Sequence, residues 1–339
     1  MIFYVIQKKG EYEVKAIICD QWCKPEDLKI LEVENPILNS DSVRIEVVAA
    51  GVNFPDVLII QGKYQYKPDF PFSPGSEVAG MVLEVGENVT DIKVGDRVMS
   101  VTGHGAFAEQ ICIEASKVTV IPENLDFITA AGMSLTYGTS SYALFQRASI
   151  KENDFVLIHG ATGGVGLSAL EISKAMGAKV IATASTDEKL KIAKEYGADY
   201  CINYSENEFK DKVKEITSSR GADIIYDPVG GDVFEQSLRC IAWDGRLLVI
   251  GFASGTIAKA PTNLPLLKNC SIVGVFWGAW RERNPKGHNE NMEIILRWWQ
   301  EKKIKPHTSK VFELNDTKDA LYALMNREII GKAVIKIKS

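Results

Sequence analysis

The chain has 339 residues, 46% of them hydrophobic and 24% charged, enough for about two domains and unlike a disordered, collagen-like or long coiled-coil protein. Lys and Arg number 39 against 44 Asp and Glu, and the net charge of −5 gives no general attraction to nucleic acid or an anionic membrane. No apolar run reaches the roughly 18 residues that a membrane span needs.

At the N-terminus only Ile2 to Ile6 are apolar, too few for a secretory core, and the lysines follow that run instead of preceding it. The expected location is therefore the cytoplasm, where six scattered cysteines stay reduced. Cys19 and Cys23 form the one close pair, and a pair without further Cys or His is no zinc site. Before about residue 130, strand-like runs at 43–49, 78–85, 97–101 and 108–113 are separated by Gly, Pro and Asp turns, the pattern of a mostly β domain. A helix within 130–144 is expected to cross into a second domain.

From residue 155 short apolar runs alternate with amphipathic stretches, the signature of βαβ units on a parallel sheet. Six runs can be read, at 155–159, 179–184, 200–203, 223–227, 246–250 and 271–276. Between the first two, Val165, Ala169, Ile172 and Met176 recur at helical spacing, with Gly177 as a stop, and 187–196 repeats the design before Gly197. A Trp-rich helix from about Asn291, a helix over 317–327 and a strand over 333–337 are expected to return to the first domain. The predicted class is α/β, a Rossmann doubly wound parallel sheet (133–277) with a mostly β catalytic domain built from 1–132 and 278–339.

The segment Val156-Leu157-Ile158-His159-Gly160-Ala161-Thr162-Gly163-Gly164-Val165-Gly166-Leu167 runs from a strand through glycines into a helix. Glycines let the backbone approach a pyrophosphate, whose charge then sits on free N–H groups and the positive end of the helix dipole. The spacing is G-x-x-G-x-x-G, and the strand before and helix after it point to dinucleotide binding. At the tip of the second strand, Thr183-Ala184-Ser185-Thr186 lacks the acid that takes the ribose hydroxyls in NAD sites. Ser185 and Lys189 can serve a 2′-phosphate, so NADPH is expected over NADH; in the plainer alternative Ser185 caps a helix and Lys189 is solvated.

Ala50-Gly51-Val52-Asn53-Phe54-Pro55-Asp56, Gly62-Lys63-Tyr64, Pro74-Gly75-Ser76-Glu77-Val78-Ala79-Gly80, Val94-Gly95-Asp96-Arg97-Val98, the glycine loop and Asp227-Pro228-Val229-Gly230-Gly231 together resemble the medium-chain dehydrogenase/reductase superfamily. Within it they are similar to the zinc-independent quinone oxidoreductases, the zeta-crystallin-like group. The likeness starts near Lys15, and residues 1–14 look like an extension. It implies a GroES-like first domain and hydride delivery from NADPH to a small electrophile, a quinone or an α,β-unsaturated carbonyl. In the zinc alcohol dehydrogenases of this superfamily a Cys stands at the place of Asn53 and a His at the place of Ser76, so no metal is expected here, and His104 and His159 are read as structural.

By this resemblance Asn53 lies beside the nicotinamide ribose and the acceptor, Thr139 near the carboxamide, and Tyr64 gives a proton or hydrogen bond to the developing oxygen anion. The plainer alternatives are a turn residue for Asn53 and packing for Tyr64. Gly163, Gly164, Val165 and Gly166 fall at the pyrophosphate, Lys189 at the 2′-phosphate, Tyr204 at the adenosine end, and Phe252 and Ser254 in the segment that passes the nicotinamide. Leu58 stands where the family often has Tyr, which makes the acceptor pocket more apolar. Two other functions stay open. One is an enoyl- or acrylyl-CoA reductase using Arg281, Arg283 and Lys286 for the nucleotide phosphates; the other is a non-catalytic NADPH- or RNA-binding protein, against which the net charge speaks for RNA. The sixth run, Ser271-Ile272-Val273-Gly274-Val275-Phe276-Trp277, reads as an apolar edge strand that would pair with its copy in a homodimer, unless the segment with Trp298 and Trp299 covers it.

Overall fold

The computed structural model describes residues 13–205 and 208–338, and the chain divides into two units, Met1–Leu135 with Pro306–Ser339, and Thr136–Lys305. Of the extension expected at 1–14, all but Glu13 and Val14 lie outside the described residues; those two open the strand Glu13–Ile18.

In the first unit the long strand Ser42–Val52 alternates inward Val43, Ile45 and Val47 with more exposed positions, as a sheet covered on one face requires. It pairs antiparallel with Glu77–Val85, Gln110–Glu114 and the C-terminal strand Lys332–Lys336. The seven-stranded sheet is completed by Arg97–Val101, Val118–Val120 and Thr308–Glu313. Ser42–Val52 runs straight into the helix Phe54–Ile60. Asn53 is its N-cap residue, Pro55 sits in the first turn where no N–H is needed, and the Asn53 N–H donates to Asp56 Oδ2 at 2.8 Å.

The second unit carries a six-stranded parallel sheet of Phe155–Ile158, Lys179–Ala184, Tyr200–Asn203, Ala222–Asp227, Ile241–Val249 and Ser271–Gly274. Their spatial order is third, second, first, fourth, fifth, sixth, so chain direction across the sheet reverses between the first strand and the fourth. Ligands of open α/β sheets bind outside the carboxyl ends of the strands at this reversal. The helix Gly164–Ala175 ends as its sequence predicts: Gly177 takes φ +77°, and its N–H donates to the Lys174 carbonyl at 3.0 Å.

The structure and the expected boundaries differ at the tail. The second unit extends to Lys305, and the helix Pro285–Gln300 belongs to it. The reason is side-chain packing. Trp298 meets Phe145 edge to face at 5.9 Å, Trp280 stacks on Tyr142 at 4.3 Å, and Asn291 exchanges two hydrogen bonds with Gln146 at 2.9 and 3.1 Å. Trp298 packs on Phe145; the sixth strand ends at Gly274, whose carbonyl accepts from Arg147 Nε at 3.0 Å, and among the described residues it pairs with the fifth strand alone.

Candidate active site

In the second unit the chemistry collects at the reversal point. The first strand is followed by His159, a buried imidazole whose Nε2 lies 2.8 Å from Ser237 Oγ and whose Nδ1 lies 3.0 Å from Thr183 Oγ1. Ser237 gives its own proton to the Val233 carbonyl, so its oxygen accepts from Nε2–H, and Nδ1 accepts from Thr183. Burial holds this ring far below its usual range, at about 4, and it stays neutral. His159 is therefore a structural residue, as read from sequence. Gly160 follows with φ +55°, and a Cβ on Gly166 would come within 2.2 Å of the Gly160 carbonyl oxygen. The helix can lie this close to the loop only because residue 166 has no side chain. The opposite wall is the turn after the fourth strand, where Asp227 Oδ1 accepts from the N–H groups of Val229 and Gly230 at 2.8 and 2.9 Å.

Ser140 braces this floor from behind, bonded to Tyr226 Oη and Ser168 Oγ at 2.8 Å and to the Val165 carbonyl at 3.0 Å. Its neighbour Thr139 is half-buried on the same helix, Ser134–Ser141. At the tip of the second strand, Thr186 and not Ser185 is the N-cap, taking the Lys189 N–H at 3.3 Å, so the capping alternative for Ser185 does not hold. Ser185 is half-buried and its carbonyl accepts from Ser205 Oγ at 3.0 Å. Tyr204, 41% exposed, follows the third strand, held by its N–H to the Ala184 carbonyl at 3.2 Å. The turn with Phe252 and Ser254 follows the fifth, held by the Ser254 N–H to the Val229 carbonyl at 3.0 Å. Gly163, Gly164, Val165, Gly166, Ser185, Lys189, Tyr204, Phe252 and Ser254 thus all fall at the carboxyl ends of this one sheet or on the first turn of the helix that follows.

Two of the three cationic residues weighed for a nucleotide thioester have neighbours within the second unit. The Arg281 guanidinium lies 5.3 Å over the Trp277 ring, and Lys286 pairs with Glu290 at 3.9 Å.

In the first unit Asn53 is buried within a polar cluster. Lys332 Nζ donates to Asn53 Oδ1 at 2.6 Å, to Glu77 Oε2 at 2.9 Å and to the Val52 carbonyl at 3.0 Å. Asn53 Nδ2 donates to the same Glu77 oxygen at 3.0 Å, and the Leu135 N–H occupies the other at 2.9 Å. Beside it Asp56 joins the two positions where the zinc enzymes carry ligands: it accepts from the Asn53 N–H and, at 2.8 Å, from Ser76 Oγ. Burial pushes the Asp56 carboxyl up to about 7 against these two bonds. Tyr64 is half-buried at the edge of the unit's core, its phenol raised by burial and by the Asp56 charge.

A zinc ion does not fit this cluster. An amide and a hydroxyl replace the thiolate and imidazole, and a second cation 2.6 Å from the amide oxygen would repel the metal. Among the described residues no three His, Cys, Asp or Glu side chains are grouped to hold a metal ion.

Sequence reasoning named Asn53, but Lys332, Glu77 and Asp56 entered it at most as letters of a motif. The one available signal was charge inside apolar strands, since Lys332 and Glu77 each open a run of buried residues.

Two family profiles match the chain, "Alcohol dehydrogenase GroES-like domain" over 39–123 and "Zinc-binding dehydrogenase" over 164–291. "Quinone oxidoreductase-like protein 2" of Rattus norvegicus is 40% identical over 325 residues, 96% of this chain and 92% of that protein. The chain belongs to the quinone oxidoreductase-like group of the medium-chain dehydrogenase/reductase superfamily. Membership makes it an oxidoreductase and accounts for its division into a GroES-like unit and a Rossmann unit. Solved quinone oxidoreductases have the same fold. That of Pseudomonas syringae pv. Tomato DC3000 superposes with a TM-score of 0.90 at 30% identity, covering 96% of this chain and all of its own. That of Escherichia coli, crystallised with NADPH, gives 0.87 at 30% identity over 95% of this chain and 100% of its own.

Proposed function

We propose that this chain is an NADPH-dependent, zinc-free reductase that delivers hydride to a quinone or an α,β-unsaturated carbonyl. The observation that carries the reading is the Lys332 ammonium bound to Asn53 and Glu77, at the place where a relative with a catalytic metal would polarise an alcohol. With that place used by an amine, the acceptor must be electrophilic before it binds, as quinones and enones are.

The glycine loop suits a pyrophosphate: without a side chain at 166 the helix packs directly on the loop backbone, which sets its N-terminal N–H groups beside the turn. At the second-strand tip Ser185 stands where NAD sites carry an acid; the nearest carboxylates in the chain are Asp187, which accepts from Asn203, and Glu188, in the same first helical turn as Lys189. NADPH, also bound by the Escherichia coli relative, supplies the hydride. In this reading Gly163, Gly164, Val165 and Gly166 hold the pyrophosphate, Tyr204 lies at the adenosine end, and Phe252, Ser254 and Thr139 flank the nicotinamide. Asn53 orients the reacting groups. Tyr64, raised by burial and by Asp56 and so protonated at neutral pH, donates to the oxygen on which negative charge develops. A reducing compartment suits six free cysteines, and we place the enzyme in the cytoplasm. The partner expected for the sixth strand is a second copy of the chain. Ile272 at 37% exposure lies on that strand and Phe276 at 57% just beyond its end.

The test is steady-state loss of NADPH absorbance with quinones, enones and enoyl-CoA thioesters assayed side by side. Turnover is expected with the first two. Turnover confined to the thioesters, or none with any acceptor, would reject the assignment.

A further inference from the structure

Lys332 has three N–H bonds to give and three acceptors that take them: the Val52 carbonyl at 3.0 Å, Asn53 Oδ1 at 2.6 Å and Glu77 Oε2 at 2.9 Å. Its side chain is 7% exposed and that of Glu77 is fully buried. Two glycines make room for the pair. A Cβ on Gly51 would fall 2.5 Å from Glu77 Oε2, and one on Gly132 would fall 3.2 Å from the Lys332 stem. A buried ion pair of this kind adds little stability over apolar side chains of the same shape, so its retention calls for another account.

That account lies in what the pair does to Asn53. An asparagine amide can flip, exchanging its donor and acceptor ends at small cost. Here the ammonium admits only the oxygen on one side, and the Glu77 carboxylate admits only the amine on the other, with Nδ2 at 3.0 Å from Glu77 and 3.4 Å from the Gly51 carbonyl. Both Nδ2 hydrogens are used. What Asn53 still offers is the second lone pair of Oδ1.

We propose that Lys332 is a positioning residue which, with Glu77, locks Asn53 in the orientation where it only accepts a hydrogen bond. The group it serves is then a hydrogen-bond donor, such as a hydroxyl of the cofactor ribose or of the reduced product, and never the carbonyl of the acceptor. Donation to that carbonyl falls to another residue. The inference rests on the reductase reading for its kinetic consequence but not for the lock itself, and the two can fail separately.

The lock is read by NMR in the full chain without cofactor. The Asn53 side-chain NH2 signal, assigned by its loss in Asn53→Ala, should be protected from solvent exchange in the parent and unprotected in Lys332→Met. The paired variant Lys332→Met/Glu77→Gln leaves no lone buried charge and repeats the measurement if the single variant does not fold. An NH2 signal equally protected without the ammonium overturns the lock.

The kinetic arm is a double-mutant cycle. Removing the ammonium should lower kcat/KM about tenfold or more in the parent, as for a charge-assisted hydrogen bond, and have no further effect in the Asn53→Ala background. Addition of n-propylammonium should partly restore Lys332→Ala but not Lys332→Ala/Asn53→Ala. Equal losses in both backgrounds would mean that Lys332 acts on the fold and not through Asn53, and would overturn the proposal. A parent without NADPH turnover on any acceptor defeats the reductase reading and leaves the NMR arm to decide the lock.

Discussion

His159 shows how one side chain can set a pH dependence. It is neutral in the fold at about 4 and titrates near 6.5 once unfolded, so between those values the unfolded chain binds the extra proton. Its contribution is therefore complete above about 6.5 and is lost as pH falls toward 4, roughly 3 kcal/mol in all. Denaturant midpoints of the parent and of His159→Gln, which cannot take a proton, should diverge over this window, and parallel curves would show that the ring is not held neutral. For the Lys332 and Glu77 pair, Lys332→Met alone strands a buried carboxylate and should cost about 3–5 kcal/mol, whereas Lys332→Met/Glu77→Gln should recover most of that in the same unfolding assay. On the proposed reading, Ser185→Asp puts a carboxylate at the 2′-phosphate. The parent should bind NADPH at least about tenfold more tightly than NADH, about 1.4 kcal/mol, and the variant should reverse that order in fluorescence titrations.

Among the elements, the loop and helix from Gly160 to Ala175 were the most legible, because tight spacing, a helical period and a closing glycine all act within one short stretch. All six parallel strands are found, but the fifth, expected over 246–250, is Ile241–Val249: it starts directly after the helix Asp232–Cys240 and carries Asp244 and Gly245 within it, which hide its first half from an apolar-run reading. Lys332 was not legible. Its partner Glu77 is 255 residues away in the chain, and the apolar run that each residue opens hints at burial without pointing to the other. The Trp-rich helix falls on the other side of the boundary from the expected one for a related reason: its composition announces burial, but the partners Phe145 and Gln146 that hold it are remote in sequence. At the element scale, Gly166→Ala should push the helix off the loop, since the new methyl meets the Gly160 carbonyl at 2.2 Å. The expected outcome is NADPH binding weakened by at least about tenfold with a cooperative thermal transition retained. Unchanged affinity would remove the loop from the cofactor site.

For the whole molecule, the open sixth strand makes self-association measurable. Light scattering at micromolar concentration should give the mass of two chains, and Val273→Lys, which sets a charge at the strand pairing, should give one. A single-chain mass for the parent would sink the dimer. The first unit is also interrupted in sequence: it is begun by residues up to Leu135 and finished from Pro306 onward, with the whole second unit between. During synthesis, then, the ribosome makes Asn53 and Glu77 early and their counter-ion among the last residues of the unit. Until Lys332 emerges, the Glu77 carboxylate has no cation and the central strand Ser42–Val52 lacks its C-terminal neighbour. A chain cut short at residue 305 should keep a protease-resistant second unit and lose the first, so that premature termination yields a fragment able to hold a dinucleotide but unable to use it, and open to degradation from its N-terminal side.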